Sequence, residues 1–237
     1  MANDYFHFKQ FSIFQDQCAM KVGTDGVLLG AWVGIENIRK ILDIGTGTGL
    51  IALMLAQRTD AYIDAIEIDK AAADQAKENV DRSPWTDRVW IHHTSLQEYF
   101  PRQSEYDLII SNPPYFSNRS GKFFSSREIA RQNYVLNMEE LIEGTCRLLN
   151  KSGKLALIYP SESFHLLFEK LRDRGMHALR ITRVIPTPGY RVKRILAEFV
   201  NGNAVTATDD LIIEDSGRHG YSERYRHLTK DFYLDGV

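Results

Sequence analysis

The sequence predicts an α/β fold, a mostly parallel sheet with helices on both faces, on three observations. From Arg39 onward, short β-like runs alternate with helical patterns. The β-like runs are almost continuously apolar, as strands covered on both faces must be. Three glycines, Gly45, Gly47 and Gly49, separate the first such strand from the first helix of the series.

Taken in order, "YFHFKQFSIF" reads as a strand or hairpin outside the main sheet. "RKILDIG" is the first sheet strand, and "GLIALMLAQRT" a helix with Ile51 and Leu55 a turn apart. "AYIDAIEID" is a second strand; "KAAADQAKENVDR" is helical by its Ala, Lys and Glu content. "RVWIHH" and "YDLIIS" follow as strands. "MEELIEGTCRLL" is a helix with Leu141, Ile142, Cys146 and Leu149 on one face, and Gly153 lies just beyond it. "KLALIYP" is a strand, and "SESFHLLFEKLRDRG" a helix opening on serine and closing at Gly175. "ALRITRVIP" and "KRILAEFV" flank the turn-rich "TPGYRV", too short a link for anything but an antiparallel pair. Residues 201–220 read as a loop and "SERYRHLTKDFYL" as a closing helix. Trp32, Trp85 and Trp90 are assigned to the core.

At 237 residues the chain suits one domain that buries roughly 70–75% of its unfolded surface. Two cysteines far apart, Cys18 and Cys146, give neither a disulfide framework nor zinc spacing, and the histidines show no ligand spacing, so no metal is expected. The start "MANDYFHFKQ" lacks the basic and apolar regions of a secretory signal, and no apolar run approaches a membrane span. These features describe a soluble cytoplasmic protein, expected as a monomer. A net charge of −2 hides segregation: residues 41–110 carry 12 acidic and 6 basic side chains, residues 170–194 carry 8 basic and 1 acidic. Residues 117–133 add Arg119, Lys122, Arg127 and Arg131 against Glu128. Such segregation steers an anionic partner. Arg119, Lys122, Arg127, Arg131, Arg191, Lys193 and Arg194 are the candidates for phosphate contact, with 117–133 ordering on RNA.

Two motifs carry chemistry. In "LDIGTGTGL" the glycines let backbone approach a ligand at a helix N-terminus. Eighteen residues past Gly49, Glu67 ends the second strand, where an acid accepts both hydroxyls of a ribose. That spacing fits an adenosine-bearing cofactor. "GTGLIA" keeps a nicotinamide dinucleotide formally open, but Asp43, just before the glycines, would repel a pyrophosphate. It suits the cationic amino acid of S-adenosylmethionine.

The second motif is Asn112-Pro113-Pro114-Tyr115, ending "YDLIIS". Each residue before a proline is held extended, and proline has no N–H, so the stretch presents acceptors. The Asn112 side-chain oxygen and the Pro113 carbonyl can hold the two donors of a planar –NH2. Tyr115 can stack on the ring that bears it.

Asp43–Gly49, Glu67 and Asn112–Tyr115 resemble the signature of Rossmann-like class I S-adenosylmethionine-dependent amino-methyltransferases. "CAMKVGTDGVLLGAW", "LIALMLAQR", "ENVDRSPW", "REIAR" and "YSERYRHLTKDFYL" extend the resemblance along nearly the whole chain to the bacterial tRNA1(Val) adenine N6-methyltransferases. The resemblance implies a seven-stranded, mostly parallel sheet with the last strand antiparallel, plus a small N-terminal β-hairpin extension. It implies one domain over 1–237, with 1–35 as hairpin and cofactor cover and 36–237 as core. It implies methylation of the adenosine just 3′ of the anticodon. It also implies that Lys21, Thr24 and Asp25 border the cofactor, Thr24 and Asp25 opening a helix over it, with Ile68, Ser95 and Leu96 completing the cofactor set beside Asn112. Ser95 stands where such enzymes usually carry Asp, and a hydroxyl accepts the same hydrogen bond more weakly. A release-factor glutamine methyltransferase would use the same amine holder, as would an enzyme acting on an rRNA or DNA amino group. A non-catalytic binding module is the non-enzyme alternative.

Overall fold

The computed structural model describes residues 3–18, 20–101, 105–113 and 136–234. A short antiparallel hairpin comes first, β1 (Tyr5–His7) with β2 (Ser12–Phe14). The main sheet contains β3 (Lys40–Ile44), β4 (Tyr62–Glu67), β5 (Val89–His93), β6 (Tyr106–Ser111), β7 (Leu149–Pro160), β8 (Met176–Ile185), β9 (Arg194–Asn201) and β10 (Ala207–Ile212). Its order is β10-β8-β9-β7-β6-β3-β4-β5, and β9 alone runs antiparallel to its neighbours. The described helices are α1 (Thr24–Trp32), α2 (Leu50–Arg58), α3 (Lys70–Asp81), α4 (Met138–Leu148), α5 (Phe164–Asp173) and α6 (Glu223–Thr229).

The sheet has eight strands rather than seven. Residues 207–212, within the expected loop, pair in parallel with β8 from Ala207↔Arg180 to Ile212↔Ile185. Their polar side chains are satisfied by neighbours: Asp209 accepts from Thr182 and Arg224, and Asp210 pairs with Arg183 at 2.5 Å. β9 is still the seventh strand of the sheet in chain order and is the reversed one.

Strand alternation splits the apolar residues between two faces. Ile41, Ile63 and Leu108 pack with Val27 and Leu28 of α1 and Leu53 of α2. Leu42, Ile66, Ile109 and Leu155 pack with Ile142 of α4 and Leu171 of α5. Gly30 explains how closely α1 lies on α2: a Cβ there would stand 2.8 Å from Met54 Sδ. α4 starts on a capping box, Asn137 accepting from the Glu140 amide and Glu140 from the Asn137 amide. Its buried face is Leu141, Ile142, Gly144, Thr145 and Leu148; Cys146 is exposed and Leu149 already begins β7. Trp32 and Trp85 are core residues, whereas Trp90 is 43% exposed on edge strand β5, stacked on Tyr62. No helix among the described residues is long and apolar enough to cross a membrane.

Candidate active site at the carboxyl end of the sheet

The register aligns the site. Ile44 of β3 pairs with Ser111 of β6 and with Ile66 of β4. One residue further along each strand stand Gly45, Asn112 and Glu67, so three sequence-predicted residues form a transverse row at the sheet edge. Hydrogen bonds lock the row from below. Ser111 Oγ donates to the Ile44 carbonyl at 2.9 Å, and the Gly45 and Thr46 amides donate to the Ile66 carbonyl at 3.0 and 3.1 Å.

The glycine loop is a cradle. Gly45, Gly47 and Gly49 have φ of 71°, 58° and 82°, a region L-residues rarely adopt. No atom of the described residues lies within 4 Å of a Cβ built on Gly45 or Gly47, so backbone there is open to a ligand. Gly49 caps α2, whose first-turn amides point towards the loop. Glu67 supports the loop, Oε2 accepting from the Gly47 amide at 2.9 Å and Oε1 from the Asp69 amide at 2.9 Å. Each carboxylate oxygen has further lone-pair capacity for a hydroxyl. Ile68, next in sequence and 38% exposed, offers an apolar surface beside it.

Asp43 is fully buried beneath the cradle. Burial pushes its carboxyl up to about 7, helped by the Glu67 charge. The Thr46 hydroxyl, donating to Oδ2 at 2.6 Å, and the nearby Ala52 amide pull the other way. Oδ1 has no hydrogen-bond partner. A buried, under-satisfied carboxylate favours positive charge nearby.

The N-terminal segment is tied over this end of the sheet by α3, with two buried amides. Asn79 Nδ2 donates to the Thr48 and Phe14 carbonyls, both at 2.9 Å, and its Oδ1 accepts from the Phe14 amide at 2.8 Å. Gln75 Oε1 accepts from the Gln17 amide at 3.0 Å. Asn79 thus joins hairpin and glycine loop, although its sequence setting among Lys and Glu suggests only a solvated helix face. Asn79→Ala strands three backbone groups and should lower stability by about 3 kcal/mol, measured by denaturant unfolding. A loss under 1 kcal/mol would mean water replaces the clamp.

Lys21 Nζ donates to the Gln15 carbonyl within the same segment. Thr24 and Asp25 open α1, and Asp25 Oδ2 accepts from Arg194 Nε at 2.7 Å across 169 residues. A Cβ on Gly26 would meet Leu50 Cδ2 at 3.0 Å and Asn112 Nδ2 at 3.9 Å, so the first turn of α1 lies against Asn112. Arg194, a candidate for phosphate contact, therefore also anchors that turn. Arg194→Ala should raise KM for the cofactor severalfold and leave the salt slope of RNA binding unchanged. A phosphate contact would instead lower that slope by about one.

Ser95, two residues past β5, donates to Glu98 Oε2 at 3.2 Å and accepts from the Glu98 amide, so its hydroxyl serves a local turn. Leu96 is buried against Gly144. Pro113 is buried and Asn112 half-buried. Arg191 pairs with Glu162 at 3.1 Å and Lys193 is exposed. Pro114, Tyr115, Arg119, Lys122, Arg127 and Arg131 lie outside the described residues. His92 and His93 diverge as their adjacency requires, to Asp64 at 2.7 Å and to the Ile68 carbonyl at 3.2 Å. Among the described residues no cluster of three His, Cys, Asp or Glu could hold a metal ion.

The methyltransferase small domain model matches residues 27–171. The chain is 48% identical over 238 residues to the tRNA1(Val) (adenine(37)-N6)-methyltransferase of Trichodesmium erythraeum, covering 99% of each chain. It is 44% identical over 235 residues to the protein of that name from Parabacteroides distasonis, with the same coverage. A predicted O-methyltransferase from Agrobacterium tumefaciens shares the fold with a TM-score of 0.69 and 21% identity, over 88% of this chain and 96% of that one. Fold and site together define a class I methyltransferase that uses S-adenosylmethionine. Within that class, the chain belongs to the tRNA1(Val) (adenine(37)-N6)-methyltransferase family. The residues present fit that cofactor's chemistry: Glu67 keeps lone pairs for hydroxyls, backbone is open at Gly45 and Gly47, and buried Asp43 favours a positive charge.

Proposed function

We propose that this protein methylates the exocyclic N6 of adenosine 37, just 3′ of the anticodon, in tRNA1(Val). The observation that carries the reading is the row of Asn112, Gly45 and Glu67, which sets an amine holder next to an adenosine cradle on one sheet edge. Relatives of full-length similarity that bear the name of this reaction support it.

S-adenosylmethionine supplies an electrophilic methyl group on a sulfonium. Asn112 Oδ1 and the Pro113 carbonyl accept hydrogen bonds from the two amino N–H groups and draw the lone pair out of conjugation with the ring. Tyr115 stacks on the base. No general base is required, because the nitrogen sheds its proton once it has become cationic. Most of the acceleration is alignment, an effect worth up to about 7–11 kcal/mol. The base must leave its stack, which is easiest in a single-stranded loop. Arg191 and Lys193 supply phosphate contacts, with Arg119, Lys122, Arg127 and Arg131 as the second basic group. The reading takes residues 1–237 as one domain, 1–35 covering the cofactor over a 36–237 core, working as a cytoplasmic monomer.

The test is incubation with labelled S-adenosylmethionine and unmodified bulk tRNA, digestion to nucleosides, and mapping of the labelled position. Label in N6-methyladenosine at position 37 is the expected result. Label in a protein glutamine or in DNA, with none in tRNA, would keep the amine holder and replace the substrate.

A further inference from the structure

We propose that the tip of the β8–β9 connection, Tyr190 flanked by Arg191 and Lys193, is a stacking platform for an unpaired RNA base adjacent to the one methylated. This rests on the functional reading above and adds a second contact point for the same RNA loop.

The connection rises at the right end of the sheet. Ser111 pairs with Leu157 of β7, and Pro160, three residues further on, pairs with Arg194 of β9, which in turn pairs with Val184 of β8. Arg194 therefore lies two strands to the side of Asn112 and two residues above it. At ~4.8 Å per strand and ~3.3 Å per residue, that is roughly 10 Å sideways and 7 Å up. Residues 186–193 form a wall beside the amine holder.

The tip is rigid and aromatic at once. The Tyr190 amide donates to the Thr187 carbonyl at 3.0 Å, closing a turn with Gly189 at φ 82°. Pro186 and Pro188 restrict the approach to it. Ser161 fixes the returning chain, Oγ donating to the Val192 carbonyl at 2.7 Å and its amide to the Lys193 carbonyl at 3.2 Å. On the other side the Glu214 amide holds the Pro186 carbonyl at 2.9 Å. Yet the tyrosine that this frame carries is 67% exposed, so its ring contributes little to folding. A preorganised exposed ring loses little entropy when a base lies on it.

Charge specifies the partner. Residues 180–194 contain five basic side chains and no acidic one; Arg183 and Arg194 are paired with Asp210 and Asp25, which leaves Arg191 and Lys193 to act at the tip. Among the described residues Arg191 pairs with Glu162 in a solvent-exposed contact, which is weak and exchangeable for a phosphate. An exposed aromatic face beside cations is the arrangement that takes single-stranded nucleic acid, where stacking tolerates any base.

Tyr190→Ala and Tyr190→Phe, with the wild type as control, test the platform on tRNA and on an anticodon stem-loop carrying 2-aminopurine next to the methylated adenosine. Ala should raise KM for tRNA between about fivefold and a hundredfold, leave KM for S-adenosylmethionine and Tm unchanged, and relieve the 2-aminopurine quenching seen with wild type. Phe, which keeps the ring, should stay within about twofold of wild type. Unchanged KM and quenching in the Ala variant would overturn the platform while the functional reading stands. Phe failing as badly as Ala would assign the effect to the hydroxyl and overturn stacking. Wild type that labels no tRNA would remove the functional reading and the platform with it.

Discussion

In single-turnover assays Asn112→Ala transfers the methyl group about a hundredfold to a thousandfold more slowly than wild type, with cofactor affinity within a few-fold. The size follows from the role. Asn112 stands one step past the Ser111–Ile44–Ile66 alignment, fixed by the Ser111 bond to Ile44 and backed by the first turn of α1 at Gly26. In the proposed mechanism its side-chain oxygen acts on the reacting nitrogen itself, and alanine would leave that amine one acceptor short. Asn112→Asp, which also offers an acceptor oxygen, should retain more activity than alanine. Equal rates for alanine and wild type would discard the amine holder.

Asp43 gives the second large effect, and its sign depends on whether cofactor is bound. A carboxyl raised to about 7 from a normal 3.8 destabilises the fold once ionised. The cost grows as pH climbs through that window, reaching on the order of 4 kcal/mol above it. Asn at this position keeps an acceptor for Thr46 and removes the charge. Without cofactor, Asp43→Asn should therefore raise Tm at pH 8, and by less as pH falls towards 4. S-adenosylmethionine reverses the order, since its positive charges stabilise the buried carboxylate. Wild-type affinity should climb by up to tenfold per pH unit up to about pH 7, whereas the variant binds weakly with little pH dependence. Calorimetric titrations between pH 6 and 8 measure this. Parallel curves for the two proteins would show that Asp43 serves the loop alone.

The apolar strands and the glycine turn could be read from the chain because each is a local pattern: period, length and breaker residues lie within a dozen positions. Glu67 was legible by its distance from Gly49. Features that depend on distant partners were not. Residues 207–212 contain two aspartates that look like loop chemistry until Thr182, Arg183 and Arg224 are placed beside them. Asn79 looks like its polar neighbours Glu78 and Asp81, and only the Phe14 and Thr48 backbone gives it a role. Arg194 reads as one more cation in a basic run, because Asp25 is 169 residues away. Trp90 was misplaced for a simpler reason: the sequence does not reveal which strand ends the sheet, and an edge strand leaves a large ring half out in water.

Besides its contacts with α3, the N-terminal hairpin reaches residues 230–233. The Lys9 amide donates to the Phe232 carbonyl at 2.8 Å, Lys9 Nζ reaches the Lys230 carbonyl, and Phe8 stacks on Tyr233 with ring centroids 6.0 Å apart. Contacts of such sequence separation form late, because the intervening loop must close first. On the ribosome, residues 5–14 are made early, and Phe8 stays without its Tyr233 partner until residues 230–233 have emerged, whereas Phe11 and Phe14 find Trp85 and Asn79 sooner. In the proposed reading, the segment that covers the cofactor hangs directly from that hairpin. The last stage of packing for the N-terminal segment therefore waits on contacts made late in synthesis.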